Sequence, residues 1–297
     1  MSKLSASTIS LMFLATIVAT NGVAAQEMDL NKATRLAKKG NAQAQLVVGK
    51  AFEDGKVGDK KDFAAAAYWY KKAMRKGNVE ATFRFGRVLH YGGHGVEKSP
   101  ESAVKLYLSA SRQDYPEAQY WLGYAYHYGF GTDKDLSRAI EWYRRAAQNN
   151  VPHAQNNLAI LHLAGEGVQK NPKLAARFLT RASGLNYSWA QNNLAGLYEL
   201  GWGVRKDMGR ARQLYEAAAR AGNPKALQNL QRLGGGVVTQ TQTQFQTQQP
   251  QQFQVQPSGQ QQPVFQDGQV KSFGDINQPS DRVRILMSPS TQSQQSQ

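Results

Sequence analysis

The chain has 297 residues, 41% of them apolar, with 36 Lys+Arg against 21 Asp+Glu for a formal charge of +15. That is enough apolar material for a core, which excludes a wholly disordered polypeptide. The absence of cysteine excludes disulfide frameworks, thiolate metal sites, cysteine nucleophiles and a lipidated N-terminal cysteine.

The first segment reads as an export signal. Lys3 precedes an apolar run from Ile9 to Ala19, and Asn21-Gly22-Val23-Ala24-Ala25 follows with small residues placed for a cut before Gln26. The run is shorter than the ~18–20 residues a spanning helix needs. Residues 1–25 are therefore expected to be a signal peptide cleaved after Ala25, with a periplasmic mature chain. Secretion and an uncleaved signal anchor are the alternatives.

Residues 26–233 hold 32 basic and 18 acidic side chains and are organised by a repeat. Ala44, Ala81, Ala118, Ala154, Ala190 and Ala226 are spaced 37, 37, 36, 36 and 36 apart, and Gly55, Gly92, Gly129, Gly165 and Gly201 each follow 11 residues later. Two further alanine series keep the same phase: Ala66, Ala103, Ala139, Ala175 and Ala211, then Ala73, Ala110, Ala146, Ala182 and Ala218. Helical spacing from each anchor alanine, as in Ala118-Leu122-Tyr126, predicts a short helix A, with Gly49, Gly86 and Gly123 allowing close packing. Asp62, Ser99, Asp135, Asn171 and Asp207 are expected N-caps of a helix B, and Pro100 and Pro172 suit its first position. Gly77, Asp114, Asn150, Asn186 and Gly222 accept a left-handed C-cap, with Gly40 closing a half-repeat. Pro116, Pro152 and Pro224 then start the next helix A. Five αα-hairpins from about 41 to 222 result, preceded by a helix B over 28–40 and followed by a helix A over 223–233.

The pattern Ala118-Gln119-x-x-Leu122-Gly123-x-x-Tyr126-x-x-Gly129-Phe130-Gly131, followed by Ala139-x-x-Trp142-Tyr143-x-x-Ala146-Ala147, resembles the SEL-1-like repeat, a tetratricopeptide relative. Gly165-Glu166-Gly167-Val168 and Gly201-Trp202-Gly203-Val204 match its Gly-x-Gly-Val turn. Repeat 1 departs from it at Val57, and repeat 2 has one extra residue in Gly92-Gly93-His94-Gly95. The resemblance implies an all-α, right-handed solenoid used as an adaptor, often for envelope or signalling complexes, and it identifies no reaction.

Catalytic motifs are not found. The five histidines form no His-x-x-x-His or Glu-x-x-His pair, and no Gly-x-Ser-x-Gly elbow, Walker loop or dinucleotide fingerprint occurs. No enzyme activity, metal or cofactor is expected. If positions 0, +4 and +8 from each anchor alanine face the core, then +2, +6 and +9 point away from it, toward a groove. These positions include Phe83, Arg87 and His90 in repeat 2, Tyr120, Tyr124 and His127 in repeat 3, Asn156 in repeat 4 and Asn192 in repeat 5. Asn157 and Asn193 extend the amides, with Arg84 and Trp121 in register. Aromatics and arginine would anchor a peptide and amides would clamp its backbone.

Basic clusters (Lys60-Lys61, Lys71-Lys72, Arg75-Lys76, Arg144-Arg145, Arg205-Lys206, Arg210 and Arg212) fall mainly on helix B and the turns between helices. They offer attraction to a cell-wall polymer, acidic polysaccharide or membrane surface. Nucleic acid is not an expected partner of an exported chain. Residues 234–297 are different: 20 of 64 are glutamine, alternating with Thr, Pro and scattered Phe, and a disordered tail is expected. Within it, Arg282-Val283-Arg284-Ile285-Leu286-Met287 alternates like a strand and could dock. The expected function is a non-enzymatic envelope adaptor binding a protein partner, with roles in envelope signalling, exopolysaccharide or motility. A basic wall- or polysaccharide-binding protein is the alternative, and a hydrolase of wall-like substrates the third reading.

Overall fold

The computed structural model describes residues 29–58 and 60–234. The expected signal peptide, the glutamine-rich tail and the Arg282–Met287 stretch lie outside them. Among the described residues there are twelve helices: α1 (Leu30–Lys38), α2 (Ala42–Glu53), α3 (Phe63–Met74), α4 (Val79–Tyr91), α5 (Pro100–Ser111), α6 (Pro116–Tyr128), α7 (Leu136–Gln148), α8 (Pro152–Ala164), α9 (Pro172–Gly184), α10 (Ser188–Leu200), α11 (Met208–Arg220) and α12 (Pro224–Arg232). Even-numbered helices are the expected helices A and odd-numbered ones the helices B. They group into two compact units, one ending at Gln113 and one beginning at Asp114.

Local chemistry sets the helix limits. Side chains of Asp62, Asp135, Asn171 and Asp207 accept from the backbone N–H three residues on, at 2.8–3.0 Å. Ser99 departs from the expectation. Its hydroxyl donates to Ser102 Oγ at 2.7 Å and makes no capping bond. The N–H groups of the same five residues close each A–B turn by donating to Phe52, Leu89, Tyr126, His162 and Tyr198 carbonyls at 2.8–3.0 Å. Pro100, Pro116, Pro152, Pro172 and Pro224 all occupy the first helical position.

After helix B the chain turns through a left-handed residue: Asp114, Asn150 and Asn186 have φ of 56–59°, and Gly40, Gly77 and Gly222 of 80–91°. This reversal lets Asn78, Val151, Tyr187 and Asn223 N–H groups reach back to Ala73, Ala146, Ala182 and Ala218 carbonyls at 2.9–3.2 Å. The third alanine series is thus both core and acceptor. The extra residue of repeat 2 is absorbed by a bridge between Gly93 and Val96, with bonds of 3.1 and 2.9 Å. Asn171→Ala is expected to lower the stability of its unit by ~1 kcal/mol through the lost cap. A shift in urea midpoint at unchanged slope would report it.

All three alanine series are buried, together with Tyr70, Tyr107, Tyr143, Leu179 and Tyr215 of the helices B. Helix A meets this tyrosine where it has glycine. A Cβ on Gly49, Gly86 or Gly123 would lie 2.6, 2.9 or 2.7 Å from the ring of Tyr70, Tyr107 or Tyr143. In repeat 4 the same contact uses Ala159 and Leu179, and in repeat 5 Ala195 and Tyr215.

Candidate functional site

Helix A is the element on which sequence placed the binding residues. The structure brings four of its five +6 positions to the half-buried surface, Lys50, Arg87, Tyr124 and Ile160, and buries the fifth, Gly196. The +2 and +9 positions are corrected. Phe83, His90, His127, Asn156 and Asn192 are all buried, so they do not face a groove. Tyr120 is half-buried, but its ring stacks on Tyr143 at 6.0 Å and meets His153 at 5.3 Å. The reason is steric. Within each unit, helix A is covered by the helices B packed on it and by the neighbouring helices A, which leaves only a narrow strip open.

The amides serve the seam between neighbouring helices A. In the unit beginning at Asp114, Asn193 Nδ2 donates to Asn156 Oδ1 at 2.9 Å and Asn229 Nδ2 donates to Asn192 Oδ1 at 3.0 Å. Asn192 Nδ2 links the two by donating to Asn193 Oδ1 at 3.3 Å. Each inter-repeat bond spans 37 residues and satisfies groups that would be costly to bury unpaired. Asn157 is buried beside them, only 4% exposed. The clamp expected of Asn156, Asn157, Asn192 and Asn193 is thus turned inward.

The +9 residue is matched to the helix B tyrosine of its own repeat. Tyr70 donates its hydroxyl to Glu53 Oε2, and Tyr215 donates to Glu199 Oε2 at 2.9 Å. In both cases an arginine of the next helix A completes the carboxylate: Arg84 Nη1 at 3.0 Å from Glu53 and Arg232 Nη2 at 2.7 Å from Glu199. Arg84 also donates from Nε to Glu80 Oε1 at 2.8 Å. In repeat 3, His127 Nδ1 lies 3.3 Å from the Tyr143 hydroxyl. In repeat 2 the His90 and Tyr107 ring centroids are 6.1 Å apart. Repeat 4 replaces both partners with Leu163 and Leu179, and no polar pair is needed. Burial, aided by Lys134, pulls His127 down to about 4. Burial, with Lys98 and Arg87, holds His90 at about 3.

The open strip runs through positions −1, +6 and +10. In the unit beginning at Asp114 it carries Tyr124 and Tyr128 on α6, Ile160 and Ala164 on α8, and Leu200 on α10, with Trp121 buried beneath them. Trp121 meets Tyr124 at 5.5 Å, and Tyr124 meets Tyr128 at 4.6 Å. Burial pushes the Tyr124 hydroxyl up to about 12, so the strip's tyrosines are neutral donors at physiological pH. Sequence reasoning missed Tyr128, Ala164 and Leu200. The period does not single them out, because +2, +6 and +9 share a helical face just as −1, +6 and +10 do; helices packed from other repeats decide which stripe stays open. In the other unit the strip is mostly polar, with Lys50, Glu80 and Arg87 beside an exposed Tyr91, and Lys50 Nζ lies 3.3 Å from Glu80 Oε1. Among the described residues no group of His, Cys, Asp and Glu could hold a metal ion, and no helix is long and apolar enough to cross a membrane.

A protein built of capped αα-hairpins, stacked on one another within each unit, is a helical repeat protein. A family model, the Sel1 repeat, matches residues 42–78, 79–115, 116–151, 152–187 and 190–223, more than half of the chain. The first four matches begin at the first residues of α2, α4, α6 and α8. The chain belongs to the Sel1 repeat family. It is similar to a solved Sel1 repeat protein from Oxalobacter formigenes (31% identity, TM-score 0.62, 69% of this chain and 58% of that one). It is also similar to c5321, a protective antigen present in uropathogenic Escherichia coli strains, with an SLR fold (27% identity, TM-score 0.54, 70% of this chain and 53% of that one). The chain spans just over half the length of these two relatives. No curated protein matches it. Sel1 repeat proteins generally mediate protein–protein interaction and are typically non-catalytic.

Proposed function

We propose that this protein is a non-enzymatic adaptor of the cell envelope, holding a segment of a partner protein along the helix A strip of the unit that begins at Asp114. The observation that carries the reading is the strip itself. Tyr124, Tyr128, Ile160 and Leu200 are half-buried on three helices A whose other faces are closed by packing. Aromatic rings on rigid helices offer contact area at little cost in conformational entropy, as binding hot spots do. The family's general use in protein–protein interaction supports the reading, as does the export-type segment ahead of Gln26. Control of envelope signalling, exopolysaccharide or motility is the proposed biological role.

The test is affinity capture from an envelope extract with the Tyr124→Ser/Ile160→Ser variant beside the wild type. Both side chains are half-buried, so the variant is expected to lose ~1 kcal/mol or less per site. Partner capture is expected to fall at least ~10-fold, as loss of two anchors of ~1 kcal/mol or more requires. Leu122→Ala, in the core, is the destabilised control. Undiminished capture by the folded double variant would place the binding site elsewhere. Unprocessed protein confined to the cytoplasm would remove the proposed export step, and a periplasmic N-terminus other than Gln26 would move the cleavage site.

A further inference from the structure

We infer that the C-terminal ends of α1, α3 and α5, the helices B of the unit ending at Gln113, form a binding site for a linear acidic polysaccharide. The observation is a lattice of cations in repeat register. Lys38, Arg75 and Arg112 are spaced 37 residues apart and all three are exposed. Arg35 and Lys72 form a second row at the same spacing, and Lys39 and Lys76 a third. α1 and α3 stand side by side: Trp69 packs against the Ala33 and Ala37 cluster, and Lys76 Nζ lies 3.6 Å from the point a Gly40 Cβ would occupy. Helices in contact pack ~8–10 Å apart, so the α1 and α3 members of each row present positive charge at about that interval, and the 37-residue register repeats once more at Arg112.

Among the described residues, the ion pairs leave this face out. The ion pairs of this unit join Lys50 to Glu80, Lys56 to Asp54, and Arg84 to Glu53 and Glu80, and none involves a residue of the three rows. The acids of these helices lie at the opposite end: Asp29 and Asp62 at the N-caps of α1 and α3, and Glu101 in the first turn of α5. One cation in a last turn is explained by the helix dipole. Three registered rows are not, and their mutual repulsion is a cost that a polyanion would relieve.

The ligand class follows from the geometry. Rows crossing successive helices match a linear chain with regularly spaced anionic groups. Tyr68, 52% exposed, stands beside them with Lys72 Nζ 4.5 Å from its ring centroid, and offers a sugar an apolar surface next to a cation. A bilayer surface would need a set of protruding apolar side chains, and on α1, α3 and α5 Tyr68 is the only large hydrophobic residue exposed. The export-type N-terminal segment favours a glycan over nucleic acid.

The probe is immobilised polygalacturonate, with its neutral methyl ester as the reference, and the full chain as analyte. The wild type is expected to bind the acid and not the ester, and to lose at least ~10-fold in affinity between ~0.05 and ~0.3 M salt. Lys38→Gln/Arg75→Gln/Arg112→Gln is expected to lose at least ~10-fold, since each neutralised contact removes counterion release. Arg144→Gln/Arg177→Gln/Arg220→Gln removes the same charge from exposed positions of the other unit and is expected to stay within ~3-fold of wild type. Should the first variant melt early, Lys39→Gln/Lys76→Gln tests the neighbouring row. Equal losses in the two triple variants, binding to the ester, or tighter binding to duplex DNA or to phosphatidylglycerol vesicles than to polygalacturonate would each overturn the site. None of these readouts depends on the helix A strip, so the adaptor reading stands or falls separately.

Discussion

Lowering the pH from 6.5 to 5 is expected to destabilise the repeats well before their carboxylates protonate. Burial holds His90 neutral down to about 3, with Lys98 and Arg87 adding repulsion. His127 is held down to about 4 by burial and Lys134, and His153 to about 4 by burial between the Tyr120 and Tyr187 rings. The folded pKa values lie below the ordinary value, so the unfolded chain binds more protons throughout the interval. The stability is complete above ~6.5 and is lost as pH falls toward the folded values. Each unit of pH in this window costs ~1.4 kcal/mol per histidine, so each is worth on the order of 2 kcal/mol by pH 5. Urea midpoints at pH 7, 6 and 5 measure the effect, and His127→Gln/His153→Gln should flatten the curve for the unit that begins at Asp114. Equal midpoints at pH 6.5 and 5 would contradict it.

Gly123→Ala is expected to destabilise the same unit by ~1–3 kcal/mol, although alanine is the better helix former by ~1 kcal/mol. The new methyl would stand 2.7 Å and 2.9 Å from ring carbons of Tyr143 and 3.1 Å from the Ala139 carbonyl. Tyr143 is fully buried and stacked against Tyr120, so its ring has nowhere to retreat. Repeat 5 combines Ala195 with Tyr215, which shows that the pair can be housed by repacking and bounds the cost. Repeat 4 supplies the rescue: Gly123→Ala/His127→Leu/Tyr143→Leu copies Ala159, Leu163 and Leu179. This variant should recover at least half of the loss, with the Tyr120 stack forfeited. A Gly123→Ala protein more stable than wild type would show that helix propensity outweighs the contact.

Features made by neighbouring residues were legible in the chain itself. Aspartate and asparagine caps, prolines at first helical positions and left-handed Asp114, Asn150 and Asn186 act through a backbone N–H or one φ angle within a few residues. Their spacing therefore carried the hairpins and their limits. Ser99 shows where even that fails, because the choice between a backbone N–H and the Ser102 hydroxyl depends on side-chain rotamers. Helical position alone sets +2 and +9 away from the 0, +4 and +8 stripe, and so toward a groove. Tertiary structure decided otherwise, since their partners lie in other helices: Asn156 with Asn193, Asn192 with Asn229, and Glu199 with Tyr215 and Arg232. Which stripe of helix A stays open depends on three packed neighbours, and no single period in the sequence contains them. The cation rows follow the same logic. Lys38, Arg75 and Arg112 are far apart along the chain, and only the stacking of one hairpin on the next sets them side by side.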